Sequence, residues 1–109
     1  MRPDARGVDL VAGAFAAALG LVGLRCLDVW MHLRTGAVIR ETGAIPFVDT
    51  LSHTRPGAPW VTHEWLFELL LLGVWDVGGD RAMVLVQAGL AGVAFALLAR
   101  ACLAAGASP

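Results

Sequence analysis

DVWMHLRTGAVIRETGAIPFVDTLSHTRPGAPWVTHE, residues 28–64, is a polar island set between stretches apolar enough to enter a bilayer. All three histidines of the chain, His32, His53 and His63, fall inside it, with Asp28, Glu41, Asp49 and Glu64 and the indoles of Trp30 and Trp60. Flanks that prefer lipid and a centre able to bind ions point to a membrane protein whose chemistry lies at the water interface. Composition agrees. The 109 residues are 58% hydrophobic and 16% charged, against about 45–50% and about 25% in a soluble domain. The mean hydropathy is +0.71, more apolar than so small a globular domain needs, since it must keep much polar surface. A net charge of −1 offers no cationic footprint for nucleic acid.

Outward from the island, Gly7 to Leu27 would reach about 31 Å as a helix, close to the hydrocarbon thickness of about 30 Å, and reads as a first span. A signal peptide is the weaker reading, because no small-x-small cleavage site precedes Cys26. A second span is expected over residues 62–79, with Thr62 as N-cap and Glu64 in the first turn. It is short and carries Glu68, whose carboxylate would cost about 2.5–3.5 kcal/mol at mid-bilayer and so asks for shielding by other helices. Residues 82–105 read as a third span. Their small residues Gly89, Ala91, Gly92, Ala94 and Ala96 would let a second helix approach closely. The expectation is an all-α, transmembrane helical fold of about three spans, forming one segment over 1–109. Cys26 and Cys102 are too few for a disulfide framework.

Within the island, Asp28 to Thr42 reads as a short amphipathic helix along the membrane surface, with Gly43 at the C′ position and Pro46 blocking continuation. Asp28, His32 and Thr35 share one face; Val29, Trp30, Leu33 and Ala37 cover much of the other. Pro46, Pro56, Gly57 and Pro59 make Ile45 to Val61 an ordered, turn-rich loop. Asp28 and His32, at i and i+4, suit metal binding or proton transfer, although a local surface pair has the same spacing. His63-Glu64 invites comparison with zinc proteases, but the second histidine of that motif is replaced by Phe67. The arginines fall on both sides: Arg2, Arg6 and Arg81 on one, Arg25, Arg34, Arg40 and Arg55 on the other. Their distribution does not fix the orientation.

The pattern Asp28-x-Trp30-x-His32-Leu33-x-Thr35-Gly36, Gly43-Ala44-Ile45-Pro46-x-x-Asp49, Ser52-x-Thr54, Trp60-Val61-x-His63-Glu64-Trp65-Leu66 covers about residues 28–79. It resembles the start of a family of bacterial multi-span membrane proteins similar in layout to the GT-C glycosyltransferases, the class of oligosaccharyltransferases and protein mannosyltransferases. The chain departs from that pattern at Met31, where a second aromatic is usual, and at Thr50, where proline is usual. The resemblance implies the N-terminal part of a longer inner-membrane enzyme, with further helices and with the island outside the cytoplasm. The donor it implies is a polyprenyl-phosphate-linked sugar. Asp28 would be general base or ligand to a divalent metal, Mg or Mn, with His32 as second ligand. His32 and Glu64 would complete the catalytic set, and Arg34, Arg40, His63 and Trp60 would bind substrate. Two other readings stand beside it: a non-catalytic small membrane subunit that binds a partner, and a metal-binding segment using His32, His53 and His63.

Overall fold

The computed structural model describes residues 5–107; Arg2, counted above for orientation, lies outside them. The described residues form three α-helices and no strand: α1 (Ala5–Gly20), α2 (Asp28–Thr42) and α3 (Trp65–Ala104). The all-α expectation holds, but the number of spans does not. Among the described residues only α3 is long and apolar enough to cross a membrane, so at most one span is supported instead of about three. The helix of the first apolar stretch stops at Gly20 and does not continue to Leu27, leaving about 24 Å of helix. Helix α3 itself is interrupted. Gly78 and Gly79 leave helical geometry, and Gly79 has φ 58° and ψ −139°, a conformation open in practice only to glycine. The break separates an N-terminal arm, residues 65–77, from a C-terminal arm, residues 80–104, of about 37 Å.

The chain divides into two compact units, Met1–Gly23 with Asp80–Pro109, and Leu24–Gly79. In the first unit, α1 packs on the C-terminal arm of α3 through small residues. A Cβ on Gly13 would lie 2.9 Å from the Gly92 carbonyl oxygen, and one on Gly20 would lie 2.8 Å from the Ala88 Cα. The small-residue stretch of the third apolar segment therefore receives a helix, as its composition predicts, at Gly92 and Ala96; Gly89 faces open space. The Gln87 amide donates to the Gly20 carbonyl at 3.0 Å, satisfying an acceptor that the helix end leaves free. Asp9, buried near the start of α1, meets the Arg100 guanidinium at 3.5 Å.

In the second unit, α2 packs on the N-terminal arm of α3. Helix α2 has the bounds its pattern predicts, and Gly43 ends it in the left-handed region with its N–H donating to the Ile39 carbonyl. Its buried residues are Leu33, Thr35, Gly36 and Ile39, so the two-faced division read from the sequence is not the one adopted. Trp30 on the supposed apolar side is half exposed, while Thr35 is the most deeply buried side chain. Thr35 tolerates this because its hydroxyl donates to the Met31 carbonyl one turn earlier. Trp30 and Trp75 meet edge to face at 5.4 Å. Arg40 pairs with Asp76 farther along the same helix contact.

Candidate metal centre

Gly36 sets the distance between the two helices that carry the site. A Cβ there would lie 2.5 Å from the Glu68 carbonyl oxygen, so only glycine lets α2 come this close to the first turn of α3. One turn before Gly36, His32 is brought onto Glu68. The imidazole Nδ1 lies 3.2 Å from Glu68 Oε1 and 3.6 Å from Glu64 Oε2. Glu64 and Glu68 are themselves one helical turn apart, with Glu68 N–H donating to the Glu64 carbonyl at 3.0 Å. The edge of Phe67 packs on the imidazole, ring centroids 5.5 Å apart, and fixes its plane. Phe67 thus occupies the place where a zinc protease would carry its second histidine, and here it packs on His32 of the other helix.

The loop from 45 to 62 holds the other side of the site. Val48 and Pro59 form an isolated antiparallel bridge, flanked by Asp49 N–H to the Ala58 carbonyl and Trp60 N–H to the Phe47 carbonyl. Buried Asp49 accepts from the N–H groups of Leu51 and Ser52, an Asx-type turn that orders the tip. The Thr62 hydroxyl donates to the Pro46 carbonyl at 2.9 Å and closes the loop at its base. Thr62 is therefore not the N-cap of the second apolar helix. The helix begins at Trp65 instead, because the Thr62 side chain is committed to the loop and residues 63–64 form a turn. Glu68, expected within the second span, falls in the first turn of α3.

The residues singled out in the sequence separate accordingly. His32 and Glu64 come together, and Glu68 joins them; their ligand atoms all lie within 4.8 Å of one another. An imidazole and two carboxylates at that spacing could hold a metal ion. Asp28 is not in this group. It opens α2, exposed, in the first turn, where a carboxylate complements the helix dipole. His63 is exposed beside Glu64, with Nε2 3.7 Å from its Oε1. Trp60, Met31, Val61 and His63 line an open cleft that leads to His32, Glu64 and Glu68. His53 is exposed in the loop and joins no metal-ligand group among the described residues. Arg34 lies 4.0 Å from Glu41 and Arg40 pairs with Asp76.

No family model, curated protein or solved structure matches this chain. The site is therefore judged on its own chemistry. Glu68 is the residue that sequence reading treated only as a burden on a membrane helix. Its partner lies 36 positions away on another helix, and no local spacing signals that. The pairing of Glu64 and Glu68 at i, i+4 was visible in the sequence. Two carboxylates on one face at the start of a helix are a signal that could have found the pair.

Proposed function

We propose that this chain is the N-terminal membrane segment of a GT-C-like glycosyltransferase acting on a polyprenyl-phosphate-linked sugar. In this reading the second unit lies at the extracytoplasmic surface of a multi-pass inner-membrane protein. Asp28, exposed and unengaged by any hydrogen bond or ion pair among the described residues, is the base that takes the proton of the acceptor hydroxyl. Of the two ions the resemblance implies, Mn rather than Mg would suit His32 and Glu64 as ligands, and when bound it would supply charge for the departing phosphate. Arg34 and Arg40 reach the phosphate only after leaving Glu41 and Asp76. Trp60 and His63 border the open cleft through which a substrate would enter.

What supports the reading is one observation: an imidazole and two carboxylates gathered at the mouth of a cleft, at the start of an apolar helical arm. Carboxylate and imidazole groups at a bilayer surface suit proton transfer and metal-assisted phosphate departure.

The test is sugar transfer from a lipid-linked donor in membranes holding the intact protein. Asp28→Asn removes the base without changing shape and is expected to lower kcat by about a hundredfold or more, the range typical of a general base. Transfer at the wild-type rate would reject Asp28 as base, and no transfer by the wild-type protein from any polyprenyl-phosphate sugar would reject the reaction.

A further inference from the structure

We infer that His32, Glu64 and Glu68 form a binding site for one first-row transition-metal dication, selective for Mn, Fe, Co or Zn over Mg and Ca. The inference is independent of sugar transfer, because it concerns the ion and its ligands alone.

Three observations carry it. The first is position: one ligand atom from each of the three side chains lies within 4.8 Å of the others, on two helices held together by the Gly36 contact. The second is an orphaned atom. Glu68 is 4% exposed, yet its Oε2 has no hydrogen-bond partner among the described residues. A buried carboxylate oxygen without a partner costs free energy that a coordinated cation would recover. The third is charge. Two carboxylates face His32, with the exposed His63 3.7 Å from Glu64 on its outer side, and among the described residues no arginine lies within ion-pair distance of either. With the imidazoles neutral, as ligation requires, the two carboxylates carry a double negative charge that a dication balances.

The ligand set then selects the ion. Mg and Ca favour all-oxygen shells, and Mg holds its waters tightly. An imidazole nitrogen among carboxylates moves preference toward the transition series. Three protein ligands leave coordination positions open toward the cleft, the arrangement of a reactive rather than a purely structural site. His32 Nδ1 faces both carboxylates, 3.2 Å from Glu68 Oε1 and 3.6 Å from Glu64 Oε2, and an ion bound there would need its lone pair free of a proton.

The test titrates the 109-residue chain in detergent with Mn(II), followed by electron paramagnetic resonance, and with Zn(II), Mg(II) and Ca(II) by calorimetry. One equivalent of Mn or Zn is expected to bind, with Mg and Ca weaker by at least tenfold. Glu64→Gln and His32→Gln should each weaken Mn binding by about a hundredfold, at or above the loss typical of a supporting residue. Glu64 is half exposed, so Glu64→Gln keeps the helix content that circular dichroism reads and remains informative if Glu68→Gln fails to fold. Undiminished Mn affinity in folded Glu64→Gln, or Mg bound as tightly as Mn, would overturn the site. No sugar transfer by the wild-type protein, with Mn binding intact, would count against the enzymatic reading and leave this one standing.

Discussion

Replacing Gly36 with alanine tests whether the approach of α2 to α3 builds the site. The added Cβ would sit 2.5 Å from the Glu68 carbonyl oxygen, 3.0 Å from its carbonyl carbon and 3.4 Å from the Leu72 Cβ. The nearest obstacle is backbone in a helical first turn, which cannot swing aside as a side chain would, so the helices must separate by the better part of an ångström. Overpacking of this kind costs about 1–3 kcal/mol. The same substitution gains about 1 kcal/mol of helix propensity. With backbone rather than side chain in the way the overpacking cost sits near the top of that range, about 3 kcal/mol, and subtracting the propensity gain leaves a net loss of about 2 kcal/mol. Gly73→Ala is the matched control: it lies in the N-terminal arm of α3 with nothing within 4 Å of its Cβ. It should gain about 0.5–1 kcal/mol. Thermal unfolding in detergent, followed by circular dichroism, measures both. The separation also pulls His32 Nδ1 away from Glu68 Oε1, now at 3.2 Å, so Mn affinity should fall in Gly36→Ala and hold in Gly73→Ala. Equal stability and equal metal affinity in the two variants would refute the reasoning.

Asp49→Ala removes the acceptor for the Leu51 and Ser52 N–H groups and should cost about 1–3 kcal/mol, with faster proteolysis between residues 50 and 58; an unchanged cleavage rate would count against the Asx turn as the loop's organiser. Arg40→Ala breaks an ion pair whose partners are both about half exposed, so the loss should stay below about 1 kcal/mol and shrink in high salt. A larger, salt-insensitive loss would mean the pair is shielded. Gly13→Val drives a side chain toward the Gly92 carbonyl at 2.9 Å and the Ala96 Cβ at 3.0 Å and should destabilise the first unit by about 1–3 kcal/mol, whereas Gly89→Ala, in open space, should not; similar unfolding temperatures for the two would argue against close packing at Gly13.

Local signals carried the parts of this structure that local rules govern. Helix α2 was legible to the residue, because Gly43 supplies a left-handed terminus and Pro46 forbids continuation. The turn chemistry of the loop was legible in its prolines and Gly57, which takes φ 79°. The Thr62 cap was misread because a threonine before an apolar run has the same sequence signature whether its hydroxyl caps the helix or, as here, donates to a carbonyl 16 residues earlier. Hydropathy alone overstated the first helix. Leu21 and Val22 are as apolar as the residues before them, but the chain leaves the helix at Gly20, where Gln87 from α3 takes the terminal carbonyl. The site was half legible. His32 and Glu64 stood out as polar groups in the island, while Glu68 stood in an apolar run, and its meaning depends on a partner supplied by tertiary contact.

The hydrogen bond between Thr62 and the Pro46 carbonyl has one further consequence. It brings the two ends of the intervening segment to a single point, so the chain leaves the helical scaffold and returns to it at the same place. Lengthening a loop closed in this way adds only about 0.6 kcal/mol of closure entropy for each doubling. The segment is in effect an interchangeable cassette: its tip, beyond the Val48–Pro59 bridge, can be grown, shortened or swapped for a different recognition sequence while His32 and Glu68 keep their positions on the helices and Glu64 its place in the turn that follows the closing bond.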